Sequence, residues 1–282
     1  MKLRDKVAII IGGSRGIGKA VAKAFLKEGA KVAIAARTGG DIDIALKDLS
    51  IEGQVIGTIT DVSKEQDIQN LLEYTLRKYE TVDILVNAAG IQGPIGPLAE
   101  VNILEWIENI HINLIGTVRC CKAVLPIMMS KKRGKIINFS GGGATSPRPN
   151  FSAYACSKAA IVRFTETLAM EVKDYGIDVN AVAPGAVNTR MLNDIIKAGE
   201  KAGEKELSEA IERSKKGGNS PEMAAGLAVF LASEDSHGLT GRLISAVWDD
   251  WKTFDDKTIV EINRSSIYTL RRIDGRNYME KK

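Results

Sequence analysis

Short apolar runs alternate with longer amphipathic stretches from the start of the chain to about residue 247. The runs at 6–11, 31–36, 54–59, 83–87, 135–139, 178–182 and 242–247 are rich in Val and Ile and mostly lack polar alternation. That pattern predicts parallel strands buried on both faces. Amphipathic helical stretches fill the gaps, at 16–28, 41–49, 64–78, 102–129, 152–175 and 221–232. Ser220 before Pro221 marks the start of the last helix, with serine as N-cap and proline in the first turn. Strands alternating with helices build βαβ units, so the expected fold is α/β, a doubly wound parallel seven-stranded sheet in a single domain with a C-terminal tail.

Two segments break the alternation. Residues 188–219 show no strand pattern and carry Gly199, Gly203, Gly217 and Gly218 between polar helical patches, which predicts a mobile cover over the substrate. Residues 248–282 form a polar tail whose aromatics (Trp248, Trp251, Phe254, Tyr268, Tyr278) predict docking. The expected organisation is a catalytic domain over 1–250, with 188–219 as its lid, and a C-terminal extension over 251–282.

Composition narrows the class. A net charge of +4 without long like-charge runs argues against a nucleic-acid footprint, and short clusters such as Lys131-Lys132-Arg133 read as solvated turns. Three cysteines, Cys120, Cys121 and Cys156, make neither a disulfide framework nor metal-ligand spacing, and His111 and His237 stand far apart, so no metal site is expected. The first apolar run is too short for a signal-peptide core or a membrane span. The expectation is a cytoplasmic protein without membrane or nucleic-acid partners.

The first strand leads into Gly12-Gly13-Ser14-Arg15-Gly16-Ile17-Gly18 and then a helix. Glycines there allow a sharp turn and bring a helix N-terminus, with its free N–H groups, against a pyrophosphate. The structural alternative is a simple tight turn, but strand before and helix after supply the context a dinucleotide loop requires.

The loop spacing, with Asp61-Val62, Asn87-Ala88-Ala89-Gly90, Asn113, Ser140, Tyr154-x-x-x-Lys158, Pro184-Gly185 and Thr189 following in order, resembles the short-chain dehydrogenase/reductase family. The likeness covers roughly residues 4 to 247 and is closest to its single-domain, 3-oxoacyl-carrier-protein-reductase-like subtype. It implies an NAD(P)-dependent oxidoreductase acting on a carbonyl or secondary alcohol, assembled as a homotetramer or homodimer. The resemblance gives Tyr154 as general acid/base, Lys158 as ribose-binding electrostatic partner, and Asn113 as support for a water-mediated proton relay. It also implies cofactor contacts from Gly12, Ser14, Arg15, Gly16, Ile17, Gly18, Asp61, Val62, Asn87, Ala88, Gly90, Pro184, Gly185, Val187 and Thr189. The catalytic pair has a physical rationale: residues four apart share a helix face, and a nearby ammonium pulls a phenol's pKa down from about 10.

The second strand ends Ala35-Ala36-Arg37-Thr38 without a carboxylate. An acidic residue there bonds a ribose 2′-hydroxyl, whereas basic groups accept a 2′-phosphate, so Arg37 and Arg15 favour NADP(H) over NAD(H). Three departures from the family pattern matter. Counting back twelve intervening residues from Tyr154 reaches Gly141, whereas Ser140 has thirteen. Either the flexible Gly141-Gly142-Gly143 run lets Ser140 reach the carbonyl, which is the expectation, or the serine role is absent, with Ser146 a weak substitute. Ile11 replaces the usual threonine before the glycine loop. The last strand lacks the usual glycine pair and runs into Trp248-Asp249-Asp250-Trp251, suggesting a tail lying over its own active site or a neighbour's. Arg148 reads either as a partner for an anionic substrate or as a solvated loop residue. The rival functions are a dehydratase or epimerase using its cofactor transiently, and a cofactor-sensing or scaffold protein that has lost catalysis.

Overall fold

The structure is a computed structural model that describes residues 1–273, so Tyr278 lies outside the described residues. All seven strands form: β1 (Val7–Ile11), β2 (Lys31–Ala36), β3 (Val55–Ile59), β4 (Ile84–Asn87), β5 (Gly134–Phe139), β6 (Ile177–Ala183) and β7 (Leu243–Ser245). They pair in parallel in the order β3-β2-β1-β4-β5-β6-β7. Every residue of β1 is buried, which explains its unbroken Val-Ala-Ile-Ile-Ile run. Ala8 and Ile10 point into one core, Ile9 and Ile11 into the other, as strand periodicity requires.

The first core packs α1 (Gly16–Lys27), α2 (Gly39–Leu49) and α9 (Pro221–Ala232) on one face of the sheet. The second uses α3 (Glu65–Tyr79), α5 (Gly116–Lys131) and part of α6 (Ser152–Glu171). Ser220 caps α9 as expected, its hydroxyl accepting from the Glu222 amide at 3.2 Å. The long helix expected over 102–129 runs from α4 (Ile103–Ile110) through a π-helical turn (His111–Ile115) into α5. Asn102 caps its start by accepting from the Leu104 amide at 2.8 Å.

The strand order reverses between β1 and β4, opening a crevice at the strands' carboxyl ends where doubly wound sheets bind ligands. Above it, residues 188–219 fold into α7 (Arg190–Ala198), a short 3₁₀ turn (Gly199–Ala202) and α8 (Glu204–Lys216), tied back by a bridge from Val187 to Asn219.

The described part of the tail does not cover the crevice of its own chain. Trp251 is buried against α9 with its ring 5.8 Å from that of Phe230; Phe254 and Tyr268 continue the aromatic chain. After α10 (Asp256–Arg264), the Tyr268 carbonyl accepts from the Leu243 amide at 2.8 Å, and Glu166 accepts from the Leu270 amide at 2.6 Å. The described tail therefore caps the β7 edge, where an open strand would otherwise expose unpaired backbone groups. It lies along the sheet edge because its apolar residues meet α9, and the crevice is left to the lid.

Candidate active site

β1 delivers Gly12 at φ +82°, and a Cβ there would lie 2.8 Å from the Ala89 nitrogen. A Cβ on Gly18 would overlap the Gly12 carbonyl oxygen, so only glycine lets α1 start this close to the loop. Ser14 is buried inside the turn, and Ile17 packs on the first core. Gly16 faces Thr189 across the crevice, with 3.5 Å between a would-be Cβ and the threonine methyl. Thr189 itself is the N-cap of α7, reached through Pro184 and Gly185, and the Val187 amide donates to the Gly185 carbonyl at 3.1 Å. Asn87, paired in register between Ile11 and Asn138, donates to Asn138 at 2.9 Å while its own buried Oδ1 has no partner. A glycine cradle facing a helix N-terminus, with an unpaired polar atom at its side, fits a dinucleotide.

Farther along the strand tips, Arg37 and Asp61 line a pocket of about 240 Å³ with Ser63, Leu104, Ile107, Glu108, His111 and Ile112. Val62 is buried beneath it against Gly116. Burial raises the Asp61 carboxyl, but hydrogen bonds from the Ser63 amide and hydroxyl, with the Arg37 charge, hold it below its ordinary value. Arg15 pairs with Asp41 at 3.2 Å, both partly exposed. The contribution of α4 to this pocket was not read from the sequence, because its exposed apolar residues look like ordinary helix periodicity.

The catalytic candidates converge on α6. Tyr154 and Lys158 are both buried, and the Lys158 ammonium lies 5.5 Å from the Tyr154 ring centre while donating to the Phe139 carbonyl at 2.8 Å. Gly90 closes the gap between them and β4: a Cβ there would sit 3.1 Å from Asn113 Oδ1 and 3.6 Å from Lys158 Nζ. Asn113, fully buried in the π turn, accepts from the Ile91 amide at 2.9 Å and offers its amide hydrogens to the Ile91 carbonyl, Asn109 Oδ1 and Ser157 Oγ. Asn109 and Ser157 were missed in the sequence, although one stands four residues before Asn113 and the other three after Tyr154. A π turn at such a position is a common device for re-aiming a functional side chain.

The electrostatics differ from the expected tyrosine activation. Burial pushes the Tyr154 phenol up, only partly offset by the Arg148 charge, and burial brings Lys158 down to about 8. At neutral pH the protein presents a phenol with a proton to give.

Ser140 does not take the expected place beside the Tyr154 hydroxyl. It is buried, and its hydroxyl donates to the Lys158 carbonyl at 3.3 Å, with no hydrogen bond to Tyr154 among the described residues. Gly141 is the residue against the Tyr154 hydroxyl, which occupies the space a Cβ at 141 would take. The spacing count that reaches Gly141 therefore locates the position correctly, and the glycine run has not moved Ser140 into it. Arg148 is also not a solvated loop residue: it is largely buried and pairs with Glu206.

A family model described as short chain dehydrogenase matches residues 6–199. Glucose 1-dehydrogenase 2 of Bacillus subtilis is 36% identical over 244 residues, covering 85% of this chain and 92% of that one. A 3-oxoacyl-(acyl-carrier-protein) reductase of Thermotoga maritima is 34% identical over 246 residues, covering 86% and 97%. Among solved structures, levodione reductase superposes with a TM-score of 0.80 at 27% identity, covering 89% of this chain and 100% of that one. NAD+-bound xylitol dehydrogenase, at TM-score 0.81 and 24% identity over 87% and 98% of the two chains, shares the fold. The chain belongs to the short-chain dehydrogenase family, and it is an oxidoreductase of the NAD(P)-dependent class that acts on alcohol and carbonyl groups.

Proposed function

We propose that the protein is an NADP(H)-dependent reductase of small carbonyl compounds, or a dehydrogenase of the matching secondary alcohols, with Tyr154 as general acid/base. The observation that carries this reading is the convergence of Tyr154, Lys158, Asn113 and Gly90 beside the glycine cradle. When bound, the nicotinamide supplies or accepts the hydride. In the reducing direction Tyr154 Oη donates its proton to the substrate oxygen, and the Lys158 ammonium stabilises the phenolate that forms. Asn113 and Ser157 fix the loop and helix that bring Gly90 to this pair. Arg37, exposed to the pocket beside Asp61, supports NADP(H), since a guanidinium suits a phosphate dianion.

The names of the relatives suggest 3-oxoacyl thioesters and sugars as the first substrates to try. Turnover of NADPH with acetoacetyl thioester and of NADP+ with D-glucose, in wild type and Tyr154→Phe, tests the reading. Loss in the variant with retained cofactor binding supports it; equal turnover in both contradicts it. A second reading, a cofactor sensor with weakened catalysis, draws on Gly141 standing where a serine donor is expected. Under that reading cofactor binds, but turnover is weak and does not fall further in Tyr154→Phe. A cytoplasmic homotetramer or homodimer completes the proposal. Two of the three free cysteines are buried, which suits a reducing compartment, and light scattering would test the assembly.

A further inference from the structure

The ion pair between Arg148 and Glu206 ties the lid to the loop that enters the catalytic helix. Arg148 Nε and Nη2 donate to the two Glu206 oxygens at 2.7 and 2.8 Å, a bidentate fork that lysine could not reproduce. The fork holds Glu206 below the usual carboxylate range despite its partial burial. Gln92, itself buried, completes the junction. With its amide oriented as its neighbours require, it donates to the Met191 carbonyl at 2.8 Å and accepts from Arg148 Nη1 and Nη2 at 3.1 and 3.2 Å. The guanidinium lies 4.0 Å over the ring of Phe151, which is fully buried at the head of α6, and 5.8 Å from the Tyr154 ring. Beneath it the lid residues Leu192, Ile195, Ala202 and Ala210 form one apolar cluster with Phe151 and Tyr154.

Three chain segments thus meet at one side chain: the loop after β4, the loop before α6, and the lid. We propose that Arg148 is a positioning residue, latched to Glu206 and Gln92, that closes the lid over Tyr154 and so couples pocket closure to the placement of the acid/base. The coupling to chemistry rests on the role proposed for Tyr154; the latch itself does not. Glu206, Arg148 and Gln92 lie on separate elements, so releasing the pair frees α8 while leaving the sheet and its two large cores intact.

Hydrogen exchange of the full chain tests the latch without any substrate, in wild type, Glu206→Gln, Arg148→Met and the double variant. Glu206→Gln keeps the size of the side chain but replaces one acceptor oxygen of the fork with a donor NH2 and removes the charge, which makes it the mild probe. Exchange over 188–219 should quicken at least about tenfold in each single variant while α1 and α3 stay within about twofold. The double variant should be no faster than the faster single, because both remove one interaction. Unchanged lid exchange, strictly additive effects, or an equal rise in α1 and α3 would each overturn the latch. Kinetics with ethyl acetoacetate and NADPH give the second readout: KM for the ketone should rise at least about fivefold, with the NADPH dissociation constant within about twofold. If wild type turns over no ketone but the lid exchange responds as described, the latch stands and the role of Tyr154 falls.

Discussion

At the residue scale the site is a buried phenol and a buried amine whose proton affinities are set by desolvation. Tyr154→Phe removes the proposed proton donor and should lower kcat/KM by about 10²–10⁴-fold, the usual range for general acid catalysis, with NADPH affinity retained. Lys158 titrates at about 8, so kcat/KM for reduction should fall as pH rises through 8 and the ammonium that stabilises phenolate is lost. A rate that stays flat from well below to well above that value would contradict this assignment. Stability runs the other way. The depressed pKa means the folded state binds fewer protons than the unfolded chain between about 8 and 10.5, so Lys158 burdens the fold below that window and is relieved across it. Gly141→Ser supplies the hydroxyl that the spacing calls for, yet its Cβ overlaps the Tyr154 hydroxyl. Turnover should therefore drop; a gain would show that the tyrosine moves aside. The Tyr-x-x-x-Lys spacing was legible because helix geometry puts such pairs on one face. The fate of Ser140 was not, because one residue of register at a strand end reverses which side chain faces the crevice.

At the element scale the strands were the most legible part, since burial on both faces leaves unbroken apolar runs. The long helix was also legible, but its π turn was not. One extra residue in a turn hardly disturbs an apolar pattern that already runs through Ile103, Ile107, Ile110 and Ile112. What betrays the turn is polar: Asn109 and Asn113, both fully buried, hold the segment after β4. Asn109 donates to the Ile91 and Gly93 carbonyls at 3.1 and 2.6 Å. Asn109→Ala takes its donor from the Gly93 carbonyl and leaves the Ile91 carbonyl to Asn113 alone, and should cost about 1–3 kcal/mol in urea unfolding. It should also impair turnover, because Asn113 loses a neighbour; an unchanged unfolding midpoint would contradict the tether.

At the scale of the whole molecule, the doubly wound sheet places the cradle and the Tyr154/Lys158 pair on either side of one crevice, with the lid above and the described tail along the far edge. The crevice was legible from motif order alone. The tail's destination was not, because aromatic residues predict docking without saying where, and only folding brings Trp251 against Phe230 and Gly226 of α9. Trp251→Ala should destabilise the protein by about 3–5 kcal/mol through the cavity it leaves, measurable by urea unfolding, with cofactor affinity preserved in the folded fraction. The proposed function requires this crevice to bind a 2′-phosphorylated nicotinamide dinucleotide for hydride transfer. Titration with NADPH and NADH, followed by nicotinamide fluorescence in wild type and Arg37→Ala, tests it most directly. NADPH should bind more tightly than NADH, and its binding should weaken at least about tenfold in the variant while NADH binding changes little. Preference for NADH, or binding of neither, would contradict it.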